Sequence, residues 1–220
     1  MPAEPLIFIE VALVQGLADN VQQLLDQSAP ALQPEHADTA IFYSISNAQP
    51  GLAGISFGNF LIKRVVGLLQ NDLPGLQQFS TLSPVPGFCR WLAQQDDSSL
   101  SQLPGGEFWR QLPQPRISPD GLAREGSREA LLQLVAHYLY RVSGEGNACK
   151  DPVAHFHLSN GARIEQLNWL ADTSERGMKQ SAGLMVNYLY QLPHIESRSQ
   201  KYILNGERAI APSLKNRLKL

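Results

Sequence analysis

His157 stands in the run Phe156-His157-Leu158-Ser159-Asn160-Gly161-Ala162, an imidazole set among hydroxyls, an amide and apolar residues. An imidazole can donate or accept a proton near neutral pH, so this run could carry acid–base chemistry. Asn168, Trp169 and Asp172 follow, and then Gly183 to Tyr190, where two phenols, Tyr188 and Tyr190, lie among large apolar residues. Polar groups in such company must be paired, because each buried donor or acceptor left alone costs about 1 to 3 kcal/mol. The alternative for His157 is a structural histidine bonded to a carbonyl. His155 is expected to face solvent or packing, and without a third ligand at usual spacing the two histidines do not form a metal site. Of Tyr188 and Tyr190, at most one is expected to enter a given pocket.

Ser83 precedes a proline in Leu82-Ser83-Pro84-Val85-Pro86-Gly87, which restricts its backbone and can fix its hydroxyl in a cleft. The alternative is a turn serine capping the helix that follows. No Gly-x-Ser-x-Gly elbow surrounds it, so the pattern does not support a hydrolase nucleophile. A third feature is the turn at 49–54, Gln49-Pro50-Gly51-Leu52-Ala53-Gly54. A glycine-bearing turn between a strand and a helix leaves backbone N–H groups at the positive end of the helix dipole, where a phosphate can accept them. It lacks the Gly-Lys-Ser/Thr ending of a P-loop and the spacing of a dinucleotide fingerprint, and an ordinary tight connection would look the same.

The elements that would hold these residues are legible from pattern. Residues 6–14 read as a largely buried strand between Pro5 and Gly16, followed by a helix over about 20–27 that Asp19 caps, with Val21, Leu24 and Leu25 inside. Residues 40–46 read as a second strand. Residues 57–70 carry helical spacing in Phe60, Leu61, Val65, Leu68 and Leu69. A short strand at 79–82 runs into a helix that Pro86 opens and that continues through Leu92. Residues 94–126 are rich in Gln, Asp, Ser, Pro and Gly and read as an irregular surface insertion with at most short helices. An amphipathic helix over 127–142 rests on Leu131, Leu134, Val135, Tyr138 and Leu139, and a strand is expected at 201–204 before a basic tail over 215–219.

With 220 residues and 43% hydrophobic content the chain can bury one full core as a compact soluble domain. A formal net charge of −2 excludes a general nucleic-acid or anionic-membrane binder, so any anionic ligand must be held by local groups. The apolar segment at 6–14 is too short to span a bilayer, and no basic leader precedes it, which points to the cytoplasm. Cys89 and Cys149 lie far apart, outside any CxxC pair, and read as reduced thiols.

Taken in order, Phe42-Tyr43-Ser44-Ile45-Ser46, the turn at 49–54, Phe60-Leu61-Ile62-Lys63-Arg64-Val65-Val66, Leu82-Ser83-Pro84-Val85-Pro86-Gly87-Phe88, the run at 156–162, Asn168-Trp169, Ala171-Asp172 and Gly183-Leu184-Met185-Val186-Asn187-Tyr188 closely resemble the malonyl-CoA decarboxylase family. The matches cover most of the chain from about residue 5 to residue 190, apart from 94–126. The resemblance implies that residues 1–220 are the family's catalytic domain, with a GNAT-like α/β (α+β) fold: a mixed, twisted sheet flanked by helices, binding CoA where strands splay. It maps the active-site histidine, serine and tyrosine onto His157, Ser83 and Tyr190. Ser44 matches another pocket serine, and Gln49, Gly51 and Gly54 fall in the CoA pyrophosphate cradle. These, with Ser56 and Asn160, make up the expected substrate-binding set. Ser56 is a departure, since better-known members carry a glutamate there.

The implied function is decarboxylation of malonyl-CoA to acetyl-CoA and carbon dioxide, a step in fatty acid metabolism. The thioester carbonyl takes up the electrons as an enolate, so no cofactor is expected beyond the CoA carried by the substrate, and no metal. His157, aligned by Ser83, would meet the carboxylate and supply the proton, with Tyr190 positioning the enolate. Malonyl-CoA is the expected partner, with no nucleic acid and no membrane. The family's helical N-terminal domain, which mediates oligomer contacts, has no counterpart in these motifs, so a homo-oligomer or a partner subunit stays open. The alternatives are a GNAT-type acyl-CoA transferase and a non-catalytic CoA-binding module.

Overall fold

The computed structural model describes residues 7–30, 32–47, 58–112 and 116–218. Strand β1 (Ile7–Val14) runs antiparallel to β2 (Thr39–Asn47), which runs parallel to β3 (Gln78–Thr81). The short strand β4 (Ser83–Pro84) follows β3 along the same neighbour, β6 (Met185–Tyr190), and β5 (Arg163–Asn168) pairs β6 from its other side. The sheet is therefore mixed, with β6 buried along its whole length between partners.

Strand β1 is an edge strand, not the largely buried one expected. Ile9, Val11 and Leu13 pack on the core, while Phe8 on the other face is 55% exposed. The helix expected over 20–27 is only one turn, α1 (Val21–Leu24), and its cap is Asn20, not Asp19: the Asn20 side chain accepts the Gln23 N–H. Asp26 then takes the Ser28 N–H and hydroxyl in a local turn that stops the helix, and Leu25 is left half exposed.

The two longest helices follow the apolar spacing more closely. Helix α2 (Gly58–Asp72) turns Ile62 and Val66 into the core with Val65 and Leu69 beside them, while Leu68, expected inside, is 52% exposed. The side chains of Phe60 and Leu61 lie outside those described. After α3 (Phe88–Ala93), which opens two residues beyond Pro86, come three short helices, α4 (Asp97–Ser101), α5 (Gly106–Gln111) and α6 (Pro119–Ala123). They are not a surface excursion: Leu100, Trp109 and Leu122 are buried in the main core with α7 (Ser127–Arg141). The polar average of 94–126 hides the few large residues that anchor it. All five residues expected to line α7, Leu131, Leu134, Val135, Tyr138 and Leu139, are buried.

The remaining helices are α8 (Pro152–Ser159), α9 (Glu175–Ser181), α10 (Ile195–Asn205) and α11 (Pro212–Leu218). Helix α10 overturns the strand expected at 201–204. The buried positions Ile195, Ser199 and Tyr202 recur at helical spacing, Gly206 closes the helix in the left-handed region, and Ile203 and Leu204 face outward.

One discontinuity in the sheet matters for the site. The β2–β3 ladder ends at Phe42 with Thr81, after which β2 continues to Asn47 paired to β1, while the chain beyond β3 pairs with β6 instead. The two parallel strands thus part company just before Ser83, opening the sheet on the Ser44 side.

Candidate active site

Helix α8 places His157. Asp151 caps it, Pro152 occupies its first turn with φ already set, and Ala154, His157 and Leu158 form its buried face. The helix ends at Asn160, whose side-chain N–H donates to the Phe156 carbonyl at 2.7 Å, and at Gly161 with φ +79°. A Cβ on Gly161 would lie 2.1 Å from the Ile195 carbonyl oxygen, so glycine alone lets α10 close on this end of α8. Ser83 comes from β4, opposite Val186 of β6, and Tyr190 ends the same β6.

These three side chains meet. His157 Nε2 lies 3.1 Å from Ser83 Oγ, and Nδ1 lies 2.8 Å from the Tyr190 hydroxyl. Ser83 Oγ donates to Thr81 Oγ1 at 2.9 Å, and that oxygen also accepts the Tyr188 N–H at 3.2 Å. The result is one hydrogen-bonded chain, Tyr190–His157–Ser83–Thr81. With Ser83 donating to Thr81, Nε2–H donates to Ser83 and the tyrosine hydroxyl donates to Nδ1. Reversing every hydroxyl gives the other imidazole tautomer with the same heavy-atom positions, so a proton can be passed along the chain without moving a side chain.

Burial sets the charge state. His157 is 4% exposed, and loss of hydration pushes its imidazole down to about 3, so it rests neutral. Burial likewise pushes the Tyr190 phenol up, keeping it protonated. The imidazole is held by its faces as well as its nitrogens: the Tyr188 ring stacks on it at 4.6 Å between centroids, and Phe156 meets it edge-on at 5.1 Å. Both Tyr188 and Tyr190 therefore reach His157, contrary to the expectation that at most one would, because residues two apart share a face of a strand. Asn187, just before Tyr188, points the other way and donates to the carbonyls of Thr81 and Ala18, while accepting from Asn168.

Ser44 lies half-buried on the part of β2 that has left β3, and His155 is exposed with its Nδ1 2.8 Å from the Tyr202 hydroxyl. Among the described residues the hydrogen-bonded chain includes neither Ser44 nor Asn160. Gln49, Gly51, Gly54 and Ser56 lie outside the described residues. A cleft of about 900 Å³ beside Pro86, Cys89, Arg90, Arg176 and Lys179 is separate from this chemistry, having neither Ser83 nor His157 in its wall. The sequence reading does not single out Thr81 or Asp151, and it takes Tyr190 in place of Tyr188 as the site tyrosine. The signals available for them were the alternation Thr81-Leu82-Ser83, the strand period joining Tyr188 to Tyr190, and an Asp-Pro pair opening a helix. Both cysteines are free thiols, pushed up to about 11 by burial.

The description "Malonyl-CoA decarboxylase C-terminal domain" belongs to the family model that matches residues 1–220. The chain belongs to this family. A curated mitochondrial malonyl-CoA decarboxylase from Anser anser anser is 39% identical over 229 residues, which take in 92% of this chain and 45% of that protein. The crystal structure of malonyl-CoA decarboxylase from Rhodopseudomonas palustris superposes with a TM-score of 0.87 at 43% identity, covering 97% of this chain and 49% of that one. The chain thus spans about half the length of the family members it matches. At 17% identity, the structure of the GNAT-like decarboxylase GphF in complex with isobutyryl-CoA covers 85% of this chain and 72% of its own, with a TM-score of 0.50. That likeness bears on the fold alone, which is GNAT-like as expected. Among the described residues no helix is long and apolar enough to cross a membrane.

Proposed function

We propose that this decarboxylase-family domain converts malonyl-CoA to acetyl-CoA and carbon dioxide at the Ser83–His157–Tyr190 chain. The observation that carries the reading is a neutral, buried imidazole hydrogen-bonded on both nitrogens to hydroxyls, beside the place where β2 and β3 part. The parting of β2 and β3 lies next to Ser83 in the chain, and the thioester arm would enter there.

Binding brings the malonyl carboxylate, an anion, into a dry pocket next to His157. An opposite charge close by favours the imidazolium, so the imidazole takes up a proton as substrate enters. The carboxylate is then held with its C–C bond out of the plane of the thioester carbonyl. When that bond breaks, its electron pair moves into the carbonyl to give the enolate, and carbon dioxide leaves. Hydroxyl donors of Ser83 and Tyr190 steady the developing negative charge. The Ser83 hydroxyl gives its proton to the former methylene carbon and takes one from Nε2 of the imidazolium, forming acetyl-CoA and returning His157 to its neutral resting state. The thioester is the electron sink throughout, so the reaction draws on no group beyond the CoA of the substrate.

The test is incubation of the protein with malonyl-CoA and no acceptor, following acetyl-CoA by chromatography. Acetyl-CoA formed at a rate proportional to enzyme supports the reading. Consumption only after an amine or thiol acceptor is added would mean acyl transfer, and CoA binding without turnover would mean a binding module. Replacing His157 by Asn should lower turnover by roughly 100-fold or more, the usual contribution of a positioned proton donor. Near-normal turnover in that variant, folded, would remove His157 from the role.

A further inference from the structure

We propose that Asp151 is a positioning residue that sets the Ser83–His157 contact by tying the helix that carries His157 to the loop that leaves Ser83. Its two carboxylate oxygens are divided between the two elements. Oδ1 accepts the N–H groups of Val153 and Ala154 at 3.0 and 3.1 Å, capping α8, while Oδ2 accepts the Gly87 N–H at 3.0 Å, four residues beyond Ser83.

A helix cap needs only one oxygen, which Ser or Asn supplies equally well and without a charge. Asp151 is fully buried, where an ionised carboxylate is costly, and among the described residues it has no cationic partner. Its second oxygen has a use that a neutral cap does not share, the bridge to Gly87. The fit around that bridge is close. A Cβ on Gly87 would lie 2.3 Å from the Tyr138 hydroxyl and 3.2 Å from Asp151 Oδ2, so only a hydrogen is accommodated. The Tyr138 and Tyr188 phenols are both pushed up by burial and then by the Asp151 charge.

The bridge completes a closed ring of stiff parts. One side is the helix from Asp151 to His157, a strut of about 9 Å at 1.5 Å per residue. The other is Ser83 to Gly87, stiffened by the fixed φ of Pro84 and Pro86. The Ser83–His157 bond joins them at one end and Asp151–Gly87 at the other. Releasing the second joint lets the first drift, and a displacement of about 1 Å at a reacting group can cost on the order of 100-fold in rate.

Asp151→Asn separates cap from bridge. Its amide oxygen can still cap α8, but its N–H₂ meets the Gly87 N–H donor to donor, so only the bridge is lost. The expected result is a cooperatively folded protein whose kcat for malonyl-CoA falls roughly 10- to 100-fold while KM changes little. Gly87→Ala attacks the same joint from the loop and should give the same split, with the double variant little worse than either single one. The kinetic half rests on the decarboxylase reading, so a second readout is independent of turnover: the ¹⁵N signals of the His157 imidazole. In both variants the Nε2 signal should move toward its position in Ser83→Ala, while Nδ1, bonded to Tyr190, stays. A folded Asp151→Asn or Gly87→Ala protein with the wild-type Nε2 signal overturns the proposal, whatever its activity. If the signal moves but the wild-type protein makes no acetyl-CoA, positioning stands and the decarboxylase reading falls.

Discussion

His157 should make stability depend on pH in a way that one substitution reveals. Burial holds its imidazole near 3, against an ordinary value of 6.5 that applies once the chain unfolds. Between those values the unfolded chain binds a proton at this residue and the folded chain does not, so acid favours unfolding. The contribution is complete above pH 6.5 and is lost progressively as pH falls toward 3. The gap between 6.5 and about 3, at about 1.4 kcal/mol per pH unit, corresponds to roughly 5 kcal/mol, of which more than half falls above pH 4. The comparison is wild type against His157→Gln, which keeps one donor and one acceptor for Ser83 and Tyr190 but cannot titrate. Urea unfolding is followed from roughly pH 4 to pH 7.5 in both. Asp151 works in the opposite sense, since burial raises its carboxyl and its contribution fades as pH rises, but it is present in both proteins and drops out of the difference. Wild-type stability should fall faster with acid by about 1.4 kcal/mol per unit below pH 6.5. Parallel curves would mean that His157 carries a proton in the folded state or is open to water, and the neutral resting imidazole would have to be abandoned.

Tyr190→Phe removes the hydroxyl 2.8 Å from Nδ1 and should lower kcat for malonyl-CoA by about 10- to 100-fold with little change in KM, read by steady-state kinetics. Thr81→Val leaves the buried Tyr188 N–H and the Ser83 hydroxyl without their shared partner and should cost about 1 to 3 kcal/mol in urea unfolding, together with lost turnover. In Gly161→Ala the new Cβ would meet the Ile195 carbonyl at 2.1 Å in a left-handed conformation; a loss of at least about 2 kcal/mol is expected, and wild-type stability would contradict the close approach of α8 and α10.

Pattern carried the sequence reading wherever one periodicity dominated. The five inward residues of α7, and Val65 and Leu69 of α2, were visible because apolar positions in those helices recur at the helical period. Composition misled in two places. Lys201-Tyr202-Ile203-Leu204 has the bulky, β-rich look of a strand, yet the position that decides is Tyr202, whose hydroxyl accepts the Cys149 N–H, and the core contact of one face outweighs local propensity. Residues 94–126 look irregular because their average is polar, while their fold is determined by Leu100, Trp109 and Leu122. An average over thirty residues cannot register three anchors.

For the site, the residue types were legible and the joints were not. Ser83, His157 and Tyr190 stand out as groups that can move protons, and the family likeness put them together. Nothing in the one-dimensional sequence says that Tyr190 reaches Nδ1 and Ser83 reaches Nε2, because those distances are products of the β4–β6 and β3–β6 registers and of where α8 begins. The same physics explains why the residues not assigned to the site from sequence are those that hold rather than react. Thr81, Tyr188 and Asp151 use a hydroxyl, a ring face and a carboxylate to fix geometry, and each has a common structural role elsewhere in proteins. What distinguishes them here is sharing: Thr81 Oγ1 serves both β6 and Ser83, and Asp151 serves both α8 and the Ser83 loop. A group bonded to two elements at once transmits their relative position, and in a buried site with a neutral imidazole that position, not added charge, determines where the proton can go.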